Sequence, residues 1–148
     1  MKSGNDGSRE SLAATDRLRS CEERLETLLE LSSEWYWEQD ENHRYTLVVG
    51  PRFGQAGNQP QELVGTLPWE RDAVPVTDGG SWDEHKSALA AQQPWAGLIV
   101  RTVDPQGEVR YVSSSGKPVF DGQKFAGYRG VAKDVSVSMR AEHLLRLE

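Results

Sequence analysis

The hydrophobic rhythm changes along the chain, and each change marks an element. From Thr15 to Leu31 the apolar residues Leu18, Cys21, Leu25 and Leu28 fall at a/d spacing with charges between them, which predicts an amphipathic helix over 15–31. The stripe covers about two heptads, so it serves either a short coiled coil or a helix lying on its own domain. Residues 1–14 are rich in Ser, Gly and charge and read as a disordered or expression-derived leader. Ser32 and Ser33 end the helix. Trp35, Tyr36 and Trp37 then start an aromatic strand, with both indoles on one face. Asp40 to His43 has turn composition, and Arg44 to Val49 returns as a second strand.

Gly50 to Pro60 holds three glycines and two prolines and is expected to be loop. Gln61 to Gly65 predicts one helical turn closed by glycine, Trp69 and Glu70 suggest another, and Pro75 to Gly80 is loop again. Ser81 followed by Glu84 has the capping-box spacing, so a helix is expected from Trp82 to near Gln92, stopped by Pro94. Three strands follow: Trp95 to Val103, Val109 to Val119 and Phe125 to Val135. The turn Asp104-Pro105-Gln106-Gly107 joins the first two, and Asp121-Gly122 is a strong hairpin signal before the third. Strands joined by hairpins and grouped apart from the helices predict an α+β fold with an antiparallel sheet.

Composition narrows the function classes. With 17 basic against 23 acidic residues the net charge is -6, which argues against a nucleic-acid surface. The single cysteine, Cys21, permits no disulfide framework within the chain and no cysteine metal cluster, as expected of a reducing cytoplasm. Leu98-Ile99-Val100 is far too short to span a bilayer, and the N-terminus lacks the apolar stretch of a secretory signal. There is no glycine-rich phosphate loop, nucleophile elbow or paired histidine at helical spacing.

Several short motifs in order carry a family resemblance. Trp35-Tyr36-Trp37-Glu38-Gln39-Asp40, Glu62-Leu63-Val64-Gly65, Trp82-Asp83-Glu84-His85 through Pro94-Trp95, Gly116-Lys117-Pro118, Gly127-Tyr128-Arg129-Gly130-Val131 and Asp134-Val135-Ser136 together resemble a PAS domain. This is the sensory box of bacterial multidomain signalling proteins. The resemblance implies a PAS fold over 32–136, with a five-stranded antiparallel sheet and short helices on one face. Residues 137–148 would start an output helix, with Leu144, Leu145 and Leu147 apolar. The chain is then expected to continue into another module, unless Leu147-Glu148 is a cloning remnant. Asp134-Val135-Ser136 resembles the Asp-Ile-Thr signature, which implies a signal-transmission role for Asp134 and Ser136. A carboxylate there suits the donors and dipole of the next helix start, and Ser136 is placed to cap it.

The resemblance further implies a cytoplasmic sensory module, itself not an enzyme, in a parent that can be membrane-attached. A sensor histidine kinase of a two-component system is the first expectation for that parent. The alternatives are a diguanylate cyclase or phosphodiesterase, or a ligand-free dimerisation and interaction module. The expected partners are an unknown small molecule, a second copy bound through the N-terminal helix, and a covalently linked output domain.

Small residues Ser113 to Gly116, Gly127, Gly130 and Ala132 on adjacent strands leave room for a ligand, or equally for a close-packed helix. Trp37, Ser114 and Tyr128 are the pocket candidates, with Arg101 and Arg129 as anchors for an acidic ligand; Arg110 has the same potential, and each arginine taken alone reads as solvent-facing. His85 occupies the helix on which haem-binding PAS domains carry their ligand. A structural role is preferred for it, and no cofactor is expected. A photosensory flavin is disfavoured because no cysteine stands in the short helices between the second and third strands.

Overall fold

The computed structural model describes residues 3–51, 60–104 and 106–146. Helix α1 runs Ser3–Ser32, followed by strands β1 (Glu34–Gln39) and β2 (Tyr45–Val49). A 3-10 turn at Pro60–Leu63, strand β3 (Ala73–Pro75), a second 3-10 turn at Asp78–Gly80 and helix α2 (Asp83–Ala90) make up the middle. Strands β4 (Trp95–Val103), β5 (Val109–Asp121) and β6 (Lys124–Asp134) then lead into helix α3 (Ser136–Arg146). The architecture is α+β: a six-stranded sheet in the order β2-β1-β6-β5-β4-β3, antiparallel throughout, with the short helices and turns on one face.

Two expectations are corrected. The sheet has six strands rather than five, because Ala73–Pro75 adds to the β4 edge opposite Val100 to Thr102. Three residues ending in proline give almost no alternation to read, and proline is tolerated only where no ladder donor is needed, as at an edge. Residues 3–14, assigned by composition to a disordered leader, are helical and continuous with the rest of α1. Arg9, Glu10, Leu12, Ala13 and Ala14 are good helix formers, and propensity here outweighs the Ser and Gly content. Most of the loop expected over Gly50 to Pro60 lies outside the described residues, as do Pro105 of the β4–β5 turn and the pair Leu147 and Glu148.

Local chemistry explains the joints. Ser33 takes a left-handed φ of 55° and its N–H donates to the Glu30 carbonyl, which ends α1. Asp40 organises the β1–β2 turn: its Oδ1 accepts from the N–H groups of Asn42 and Arg44 at 2.9 and 3.1 Å. In the β5–β6 hairpin the positive φ falls on Gly122 (65°) at the first loop position, where a two-residue turn demands it. Helix α2 starts at Asp83, one residue later than the capping-box spacing implies. The Ser81 hydroxyl accepts from the Asp83 N–H at 3.2 Å, so it closes a turn ahead of the helix rather than capping its first turn.

Strand β1 alternates strictly, turning Trp35, Trp37 and Gln39 inward. Trp37, Val48, Leu89 and Tyr128 form the core, with Tyr45, Leu63, Trp69 and Trp95 packed against it. Trp37 and Trp95 stack with centroids 5.6 Å apart and planes at 17°. They lie over Gly116 and Gly130, which face each other across β5 and β6. A Cβ on Gly116 would come within 2.7 Å of Trp95 Cη2 and 2.8 Å of Trp37 Cη2. A Cβ on Gly130 would come within 2.6 Å of Trp37 Cζ2 and 2.0 Å of the Ser115 carbonyl oxygen.

Helix α1 meets the sheet at β1, where Leu29 is 5% exposed. The stripe residues Leu18, Leu25 and Leu28 are exposed, as is Cys21, so this helix does not lay its apolar face on its own domain. Among the described residues no helix is long and apolar enough to cross a membrane.

Gly130→Ala is expected to destabilise the fold by about 2–3 kcal/mol through overpacking. Gly7→Ala, in α1 and with nothing within 4 Å of the added Cβ, is expected to stabilise by up to about 1 kcal/mol. Urea unfolding of the two variants measures the difference.

Candidate functional site

Between the inner face of the sheet and the segment from the first 3-10 turn to α2 lies a cavity of about 100 Å³. Its walls are largely aromatic, with Trp35 and Trp37 from β1, Tyr45 from β2, Trp82 before α2 and Trp95 from β4. Val112 and Ser114 of β5 and Ala132 of β6 form part of its floor. The Trp95 indole N–H donates to the Ser114 hydroxyl at 3.2 Å, and the Trp82 N–H donates to the Ala73 carbonyl at 3.0 Å. The polar lining is sparse: Gln39, Arg71, His85, Thr102 and Ser114.

Of the pocket candidates from the sequence, Trp37 and Ser114 line this cavity. Tyr128 does not. It is 1% exposed, packs 5.1 Å from Trp95, and donates its hydroxyl to the Gln93 carbonyl at 3.0 Å, tying the end of α2 to the sheet. Arg101 and Arg129 are exposed and do not line the cavity. Strand parity is the reason: Val100 and Thr102 face the cavity and Tyr128 faces the core, so the intervening arginines face away. Arg129 instead stands opposite Glu38 on β1.

Gln39 and Arg71 were not anticipated. Gln39 shares the inward parity of Trp35 and Trp37, so alternation alone could have found it. Arg71 sits in the irregular segment before β3, where no periodicity reports a side chain's direction. Both bear on the Tyr45 hydroxyl. Burial raises that phenol's pKa, while the Arg71 charge and then a polar contact from Gln39 draw it down.

His85 is buried edge-on against Trp95, with centroids 4.6 Å apart and planes at 88°, and also adjoins Trp82. Burial first, and the proximity of His43 second, lower its pKa to about 4, so the imidazole is neutral at pH 7. A ring held this way beside a 100 Å³ cavity leaves no room for a porphyrin, so the residues present do not fit haem. Among the described residues no group of three or more His, Cys, Asp and Glu side chains gathers to hold a metal.

A second polar cluster holds the base of α3. Asp134 Oδ1 accepts from the Ser136 N–H at 2.8 Å, and Asp134 Oδ2 meets Arg110 Nη1 at 3.2 Å. Arg110 also binds Asp104 in the β4–β5 turn, Nε to Oδ2 at 3.1 Å. Burial raises the Asp104 pKa, but bonds from the Glu108 N–H, Arg110 and the Gln106 N–H outweigh it and leave the carboxyl below its ordinary value. The Ser136 hydroxyl accepts from the Tyr111 N–H at 2.9 Å, reaching across to β5 rather than capping its own helix. Arg140 donates from Nη2 to the Val109 carbonyl at 3.1 Å. Helix α3 is thus anchored to the start of β5.

No known family model matches the chain, and no curated protein matches it. Among solved structures, a chain in the crystal structure of the E. coli DhaR(N)-DhaL complex is similar at 16% identity with a TM-score of 0.47. The match covers 84% of this chain and 38% of that chain, so the present chain spans well under half of its neighbour's length. A likeness at this level carries nothing about function.

The depressed His85 pKa has a measurable consequence. Between about pH 6.5 and pH 4 the unfolded chain binds a proton that the folded chain refuses, so stability rises with pH across that window and is lost on acidification. The expected loss on going from pH 7 to pH 4 is about 3 kcal/mol at most from this residue. His85→Gln should flatten the dependence in urea titrations at the two pH values. An equally steep dependence in the variant would assign it elsewhere.

Proposed function

We propose that this chain is a PAS-type sensory module, one that reads a small molecule in its inner cavity and relays occupancy to α3. The observation that carries the reading is the position of the two sites on one pair of strands. Val112 and Ser114 line the cavity, while Tyr111, their neighbour on β5, holds Ser136 at the base of α3. On β6, Ala132 lines the cavity and Asp134, two residues on, anchors the helix. Val112 is paired directly with Asp134. A change in packing at the cavity floor therefore has one residue to travel before it reaches a hydrogen bond that positions α3. The sheet order and the Trp35-to-Asp40 and Asp134-to-Ser136 motifs support the same reading.

In this proposal the module is cytoplasmic, is not itself an enzyme, and regulates an output domain joined through α3. A sensor histidine kinase is the first choice of output. A diguanylate cyclase or phosphodiesterase is the alternative.

Filling the cavity by Ser114→Leu is expected to change amide hydrogen exchange at Ser136 and Met139 at least about fivefold. Adding Arg110→Gln, which breaks the tie between the turn and Asp134, should remove that response. Unchanged α3 exchange in the filled protein, with the fold intact, would refute the relay.

The interaction reading has its own support in the apolar stripe of α1. Leu28 and Leu31 are 64% and 81% exposed, and Leu12, Leu18 and Leu25 continue the uncovered surface. A second copy of the chain, matching stripe against stripe, would bury it. Sedimentation should give a dimer for the native chain and a monomer for the Leu18→Glu, Leu28→Glu double variant. A monomer in both would dismiss the idea.

A further inference from the structure

The cavity carries information about its occupant. Among the described lining residues Arg71 is the only cation once His85 is neutral, and there is no carboxylate. The ion pairs formed among the described residues join Arg44 to Glu70 and Arg110 to Asp104 and Asp134, and none uses Arg71. Its Nε is buried and has no hydrogen-bond partner. Gln39 is 6% exposed, and its Oε1 is buried and also without a partner. Buried orphan groups are few in native proteins, and here a charged donor and a neutral acceptor line the same space. Both adjoin the Tyr45 hydroxyl.

Size sets the next limit. A volume of about 100 Å³ is somewhat below the roughly 150 Å³ of an apolar cavity that admits benzene, so the occupant has about half a dozen heavy atoms at most. Its skeleton meets indoles and aliphatic side chains, while the Arg71 Nε–H asks for an acceptor and Gln39 Oε1 asks for a donor. We infer that the cavity takes a small hydroxycarboxylate, with the carboxylate on Arg71 and the hydroxyl donating to Gln39. A charge-assisted bond in a water-poor site gives this acid its advantage over a neutral isostere. The inference rests on the ligand-sensing reading above, and the test keeps the two apart.

Lactate, its uncharged isostere lactamide, and xenon serve as probes, with the indoles of the cavity wall reporting the first two by fluorescence and xenon NMR reporting the third. Lactate should bind saturably and at least about tenfold more tightly than lactamide. Arg71→Gln should erase that preference while xenon still enters, and Arg71→Lys should restore part of it. Propionate, which lacks the hydroxyl, should bind more weakly than lactate in the native chain and equally in Gln39→Leu. If xenon enters but lactate gains nothing over lactamide, the acid assignment is overturned and the cavity stands. If lactate keeps its preference in Arg71→Gln, it binds elsewhere and the assignment fails. If none of the three probes binds, the cavity is no ligand site and both readings fall. Circular dichroism confirms that each variant is folded before it is counted.

Discussion

The stack of Trp37 on Trp95, seated over the facing pair Gly116 and Gly130, is the contact on which the rest of the structure depends. Two indoles can lie against a sheet only where the strands beneath carry no side chain. Any Cβ at either glycine would press into ring atoms at well under van der Waals separation. Seated there, the rings reach inward from β1 and β4, which flank the β6-β5 pair in the sheet, and meet over that pair. They also fix the wall against which His85, Tyr45 and Tyr128 pack. The cavity is the space that these large, rigid side chains leave beside them, bounded on its polar side by Gln39 and Arg71.

From that floor the physical chain to α3 is short. Strands β5 and β6 make the most extended pairing in the sheet, running from the hairpin at Gly122 to the pair Val112 and Asp134. The same ladder carries cavity-lining residues at one point and the anchors of α3 at the next. Arg110 adds the β4–β5 turn through Asp104, so the helix base is braced from two directions. Half-buried charge-assisted bonds of this kind have definite geometry, and a small displacement of the strand end alters them more than it would alter apolar contacts. In the proposed relay, this joint is where a shift of the strand end reaches α3.

Much of this was legible in the sequence, for particular reasons. The long strands announce themselves through alternation, and Asp121-Gly122 marks the hairpin. Arg71 shows where pattern stops helping. Arg101 and Arg129 sit on regular strands and invited attention. Yet parity with Val100, Thr102 and Tyr128 turns both away from the cavity. Arg71 comes from an irregular stretch whose path is set by tertiary contacts, such as the Thr102 hydroxyl donating to the Asp72 carbonyl. Strand β3 escaped because three residues ending in Pro75 carry no periodicity. Ser136 was placed correctly in the chain but with the wrong partner, since its neighbour across the sheet, Tyr111, could not be identified from local spacing.

A double-mutant cycle between Gly116 and Trp95 tests the central contact most directly, with urea unfolding as the readout. Gly116→Ala should cost about 2 kcal/mol or more in the native background. In a Trp95→Leu background it should cost less, because the Trp95 ring contacts are gone and only the Trp37 ring still meets the added methyl, giving a coupling energy of about 1 kcal/mol. Equal costs in both backgrounds, and hence no coupling, would contradict the view that the glycine pair exists to seat the indoles.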